Sequence, residues 1–192
     1  MNDNNYGDMK FLKTCLYLEV IKSDSKKFSW FRTFRRYWKN PDIRYIFWWR
    51  VASYLHNKHE KKSKLANYIN RKITYKYGSE ISLDAKIKPG LSFSHYTGVV
   101  ITGLATIGCN FHVRQNTTIG VGGSIRDSTS LENAFIKIGD NVEIGANSCI
   151  IGNSLTIGDN VVIGAMSFIN KDIPDNCTAY STKKINIIEY KI

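Results

Sequence analysis

Through the later part of the chain, aliphatic residues recur every sixth position: Ile81, Ile87 and Phe93, then Ile101, Ile107, Val113 and Ile119, then Ile138, Ile144 and Ile150, then Ile157, Ile163 and Ile169. Glycine follows directly in Ile107-Gly108, Ile119-Gly120, Ile138-Gly139, Ile144-Gly145, Ile157-Gly158 and Ile163-Gly164. Small or branched residues stand two places ahead at Ala85, Ala105, Thr117, Val142, Ser148, Val161 and Ser167. Such a period predicts very short strands with alternating inward and outward side chains, joined by turns so tight that every sixth residue faces one narrow interior. Glycine is expected at these turns for its tolerance of backbone angles that a Cβ penalises. One coil buries too little to be stable alone, so the coils must stack, at about 4.8 Å per step.

Three interruptions mark where the coils open. Two extra residues between Phe93 and Ile101 predict a bulge around Ser94-His95-Tyr96-Thr97-Gly98. Nineteen residues separate Ile119 from Ile138, which predicts a loop over about 121–135. One extra residue falls near Asn153. Insertions at solenoid turns commonly serve binding.

Before residue 78 the hexad is absent and residues 10–77 read as helices. Phe11, Cys15, Leu18 and Ile21 give one apolar face, and Ile46, Trp49, Val51, Tyr54, Leu55, Leu65, Tyr68 and Ile69 give others. Asn40-Pro41-Asp42 is a helix-start signal. The expected organisation is a helical segment over 1–77, a repeat domain over 78–180 and a tail over 181–192.

Charge divides the chain at the same place. Of 192 residues, 27 are Lys or Arg and 16 Asp or Glu, a net charge of +11. Residues 1–77 hold 18 of the bases and 6 of the acids, a balance of +12, which leaves 9 and 10 for the repeats. Seventeen of the 24 aromatic residues lie in 1–77, and all four tryptophans fall between Trp30 and Trp49. The stretch from Lys26 to Lys39 interleaves cations with large rings. Three readings are open for it: a helical cap on the repeats, a peripheral contact with an anionic membrane, or, least favoured, a nucleic-acid contact. Four separated cysteines and the lack of a secretory signal point to a reducing, cytoplasmic compartment. The apolar run Tyr45 to Trp49 is too short to span a bilayer.

Among the candidate chemical groups, His95 stands out, because an imidazole at a bulge can take a proton near neutral pH. Cys109 and Cys149 read as small fillers within the repeats. His112 reads as an outward-pointing neighbour of Val113. Four scattered histidines offer no metal-ligand spacing.

The motifs Ala85-Lys86-Ile87, Pro89-Gly90-Leu91, Ser94 to Ile101 and Arg114 to Gly120, with the bulge and loop, resemble the serine acetyltransferase branch of the hexapeptide-repeat acyltransferases. Upstream, Asn40 to Tyr45 and Trp49 to Ala52 resemble the helices ahead of that family's repeats. The resemblance implies a mainly β fold: a single-stranded left-handed parallel β-helix with an α-helical N-terminal segment, assembled as a homotrimer, with acetyl-CoA as acetyl donor in the groove between copies. It implies His95 as the base within His95-Tyr96-Thr97-Gly98, and Glu80, fifteen residues earlier, as the carboxylate that orients it. It further implies cofactor contacts at Ala146 and Ala165, where small side chains admit the pantetheine arm. Lys183 and Lys184 would meet its phosphates.

On the acceptor side the chain departs from the pattern. Enzymes of the family that use free serine have an aspartate just before the histidine and an Arg-His pair late in the loop. Here Ser94 precedes His95 and the loop contains no histidine. A lost counter-charge for the serine ammonium removes about 1.5–3 kcal/mol of charge-assisted hydrogen bonding. The resulting expectation is an O-acetyltransferase for a sugar hydroxyl of a surface polysaccharide (capsule or O-antigen) or its precursor, with Ser94, Tyr96, Arg126 and Asp127 binding the glycan. The alternatives are a serine O-acetyltransferase of cysteine biosynthesis and a non-catalytic trimeric scaffold that docks on a membrane or partner.

Overall fold

The computed structural model describes residues 6–22, 27–40, 42–122 and 133–182. Within the repeats the hexad becomes five stacked coils. The first holds β1 (Glu80–Ile81), β2 (Lys86–Ile87) and β3 (Ser92–Phe93), and the second β4 (Val100–Ile101), β5 (Ala105–Ile107) and β6 (His112–Val113). The third holds β7 (Thr118–Gly120), β8 (Phe135–Ile138) and β9 (Glu143–Ile144), and the fourth β10 (Cys149–Ile151), β11 (Ser154–Ile157) and β12 (Val162–Ile163). The fifth has β13 (Phe168–Ile169), a single bridge from Ile173 to Ile157, and β14 (Thr178–Ala179).

All pairings are parallel and run between coils, giving three faces: β1-β4-β7-β10-β13, β2-β5-β8-β11 and β3-β6-β9-β12-β14. The registers place Ile81 under Ile101 and Ile101 under Ile119, so each face carries an aliphatic ladder into the interior. The ladder residues Ile81, Ile87, Ile107, Val113, Ile119, Ile144 and Ile150 are fully enclosed.

The turns work differently from the sequence expectation. Left-handed backbone falls mainly on asparagine: Asn110, Asn116, Asn141, Asn147, Asn160 and Asn176 all have φ between 56° and 58°. Their side chains stack along the prism edges, Asn110 donating to Asn141 at 2.9 Å, Asn141 to Asn160 at 3.0 Å and Asn160 to Asn176 at 2.9 Å. Asparagine tolerates this conformation and its amide supplies the bond that joins neighbouring coils. Gly108, Gly139, Gly145, Gly158 and Gly164, each after an isoleucine, are required by crowding instead, whereas Gly120 has room for a Cβ. A Cβ on Gly139 would meet the Gly158 backbone and the Asp159 carboxylate, and one on Gly145 would meet the Ala165 backbone.

Helices close the first coil. They are α1 (Met9–Leu16), continued by a π-helical turn over Tyr17–Ile21, then α2 (Trp30–Lys39), α3 (Asp42–Lys58) and α4 (Lys64–Tyr77). Asp8 and Ser63 cap α1 and α4 through their side chains, and Gly78, with φ 65°, ends α4. Helix α3 begins at the predicted start signal, although Pro41 lies outside the described residues. The apolar face expected along Phe11, Cys15, Leu18 and Ile21 is shifted. Leu12, Cys15, Leu16, Glu19 and Val20, at i, i+3, i+4, i+7 and i+8, are buried together with Ile21, while Leu18 is exposed. Leu65 and Tyr68, also expected inside, are exposed, and Ala66 and Ile73 face inward.

Polar clamps tie helices to coils. Trp49 Nε1 donates to Ile81 O at 3.1 Å, and the Tyr45 hydroxyl accepts from Ile81 N at 3.2 Å. Arg50, fully buried, forms two bonds with Glu19, at 2.8 and 2.6 Å, and donates onward to the carbonyls of Ile87 and Lys88. Glu19 Oε1 also accepts from the backbone amides of Gly90 and Leu91, each at 2.9 Å. Tyr45, Trp49 and Ile73 thereby extend the core that runs through the prism.

Candidate active site

The bulge after β3 is fixed from below and above. Gly98 N donates to Gly78 O at 2.7 Å, the Ser79 hydroxyl donates to Tyr96 O, and Asn116 N donates to Thr97 O at 2.9 Å. Gly98 has φ 73°, and a Cβ there would strike the Asn116 side chain, so the turn depends on glycine. With its two flanks held, the bulge presents His95 to solvent. Among the described residues no hydrogen bond or ion pair engages its ring.

The same edge of the prism carries Gln115 on the second coil, Ala146 on the third and Ala165 on the fourth. Backbone bonds stack these turns directly: Asn147 N donates to Gln115 O at 3.0 Å and Met166 N to Ala146 O at 2.8 Å. His95 and the two predicted alanines therefore share one edge, the alanines on adjacent coils and His95 toward the helical end. Three coil steps from His95 to Ala165 span roughly 14 Å. Ala165 is exposed and Ala146 half-buried, so the backbone beside each is open to a narrow ligand.

Ser94 and its surroundings give the site a feature that the sequence reading missed. His112 is half-buried rather than simply outward-pointing; its Nδ1 lies 2.8 Å from Ser92 Oγ and its Nε2 2.9 Å from Ser94 Oγ. Burial is the largest influence on this imidazole and pulls its pKa down; Glu143 opposes the shift, while Arg114 and Lys22 add to it. A neutral ring uses one nitrogen as donor and the other as acceptor, so both hydroxyls are satisfied. The pairing required β3 and β6 to stack, with Ser92 opposite His112.

Glu80 is exposed on β1, one coil below the end of the bulge, where its backbone N donates to Val99 O at 2.8 Å. Its side chain borders a cleft between the prism and α4, with Asn70, Thr74, Tyr75 and Asp84. Within the chain no hydrogen bond joins it to His95. Tyr96, expected to offer an aromatic face to an acceptor, turns back onto the helices instead. Its ring stacks 6.4 Å from Tyr45 at 13° and meets Tyr77 edge-on at 5.4 Å. Arg126, Asp127, Lys183 and Lys184 lie outside the described residues.

These features define a hexapeptide-repeat protein with a histidine-bearing bulge at one edge of the prism. The chain is 38% identical over 120 residues to chloroplastic serine acetyltransferase 1 of Arabidopsis thaliana, covering 62% of this chain and 36% of that protein. It is 31% identical over 131 residues to the serine acetyltransferase of Haemophilus influenzae, covering 68% and 46% respectively. No family model matches the sequence. Among solved structures, the serine acetyltransferase of Neisseria gonorrhoeae superposes with a TM-score of 0.69 at 25% identity, covering 94% of this chain and 66% of that one. Isoform 3 from Entamoeba histolytica, solved in complex with cysteine, gives 0.69 at 23% identity, covering 95% and 61%.

The fold is thus the expected left-handed parallel β-helix with N-terminal helices, and the resemblance to the serine acetyltransferase branch holds in both sequence and architecture. The chain spans less than half the length of these curated relatives. Relatives at 31–38% identity that are serine acetyltransferases overturn the expectation of a sugar acceptor and of a role in polysaccharide biosynthesis. That expectation rested on Ser94 before His95 and on a loop without histidine.

Proposed function

We propose that the protein is an acetyl-CoA-dependent serine O-acetyltransferase in which His95 is the general base. The observation that carries this reading is the placement of His95, Ala146 and Ala165 on one prism edge. An extended acyl donor laid along that edge, past the small side chains, would bring its thioester to the imidazole. His95 takes the proton of the acceptor hydroxyl as the oxygen attacks the thioester carbonyl. The new C–O bond forms, the C–S bond breaks, and the proton leaves with the thiol. Direct transfer needs no acyl-enzyme, and Cys109 and Cys149 are assigned no chemical role.

Glu80, one coil below the end of the bulge, is assigned as the orienting carboxylate of His95. Ser94, held by His112, offers a neutral hydrogen bond where a counter-charge for an ammonium would be stronger. Lys183 and Lys184 are assigned to the donor phosphates, and Arg126 and Asp127 to the acceptor.

Purified protein mixed with acetyl-CoA and L-serine is expected to release free thiol, read with a thiol reagent. His95→Ala should lower that rate by about a hundred- to ten-thousandfold, the usual contribution of a general base, with unchanged far-UV circular dichroism. No thiol release with serine, or an undiminished rate in the variant, would refute the reading.

A further inference from the structure

We propose that α2 is an interfacial helix that docks the protein on an anionic lipid surface. One face of α2, that of Thr33 and Tyr37, is committed to the fold. Thr33 is fully buried, and Tyr37 packs 5.1 Å from Phe47 and accepts a bond from Trp48 Nε1 at 3.0 Å. Arg44 fixes the helix end by donating to the carbonyls of Tyr37 and Trp38 at 3.2 and 3.0 Å.

Beside these anchors Phe34 meets Trp30 at 6.3 Å and Phe47 at 5.8 Å, and among the described residues no ring contact engages Phe31 or Trp38. Phe31, Phe34 and Trp38, at i, i+3 and i+7, form one stripe and are 76%, 54% and 78% exposed. Next around the helix come Arg35 and Lys39, then Arg32 and Arg36, and α2 carries no acidic residue. Large rings flanked by cations on one rigid helix match an acyl boundary overlaid by anionic headgroups, with rings inserted and cations at the phosphates. A second copy placed symmetrically on this face would bring its own Arg35 and Lys39 near those of the first. The charge therefore favours a negatively charged surface over self-association.

The test uses the full chain and no acyl donor, so its outcome is independent of the proposed catalysis. In flotation, the protein should rise with vesicles of phosphatidylcholine containing about one-third phosphatidylglycerol, and remain behind with phosphatidylcholine alone. Raising salt to about 0.5 M should release it. The Trp30 and Trp38 fluorescence should shift to the blue on binding. Phe31→Ser with Trp38→Ser, and separately Arg35→Gln with Lys39→Gln, should each weaken partitioning by about tenfold or more while far-UV circular dichroism stays unchanged. The charge pair covers the case in which the aromatic pair disturbs folding. Equal partitioning by a folded charge variant, or binding to neutral vesicles as strong as to anionic ones, would overturn the proposal. So would a loss of oligomer mass in the variants without lipid, which would make the face a contact between copies.

Discussion

At the residue scale, the least anticipated arrangement is the Ser92, His112 and Ser94 chain beside the proposed base. Its imidazole is depressed by burial, so the folded state binds fewer protons there than the unfolded chain. Its contribution is complete above the ordinary histidine value of about 6.5 and is lost as pH falls below it toward the lower folded value. Protonation also makes both ring nitrogens donors. The melting temperature should therefore drop less between pH 7 and pH 5 in His112→Gln than in the parent protein, and equal drops would show that this ring is not responsible. Ser94→Asp gives a second handle on the same atoms. A carboxylate there would face the ammonium of serine, and the KM for serine should fall about tenfold with the KM for acetyl-CoA unchanged. His95 itself was legible in the sequence because a two-residue insertion in a strict period has few places to go.

At the element scale, the helices are held to the prism by a buried ion pair whose two members come from the π turn and α3. Glu19 accepts from Arg50 and from two amides of the turn after β2, and Arg50 donates to two carbonyls of the same stretch. Glu19→Ala would leave a buried guanidinium without a counter-charge and should cost about 3–5 kcal/mol, read by chemical denaturation. Glu19→Leu combined with Arg50→Met should recover part of that loss, since no uncompensated charge remains while the amides of Gly90 and Leu91 lose their acceptor. A single variant as stable as the parent would remove the clamp from the account. The sequence showed helices here but misplaced their inner faces. The inner face runs through Leu12, Cys15, Leu16 and Val20 and includes the buried Glu19, whose partner Arg50 comes from α3, so apolar spacing alone selects the wrong stripe.

At the scale of the whole molecule, the proposed trimer would make the exposed edge with His95 and two alanines one wall of the donor groove and a neighbouring copy the other. Sedimentation equilibrium should give a mass near three times 21.9 kDa, and a monomer that still released thiol with serine would exclude a donor groove between copies. The amino-acid sequence by itself determined the phase of the coils, the aliphatic ladder facing the prism interior, the bulge and its histidine, and the concentration of positive charge before residue 78. These follow from alternation and period, which are properties of the chain read locally. Only the tertiary structure decided that Ser94 is held by a histidine eighteen residues away, that Tyr96 leans on Tyr45 and Tyr77, and that Glu19 reaches across to the turn after β2. It also decided that one flank of α2 is left open. Those contacts depend on how far each coil is offset from the next and on how irregular helices settle on the prism's end, and neither quantity is periodic in the sequence.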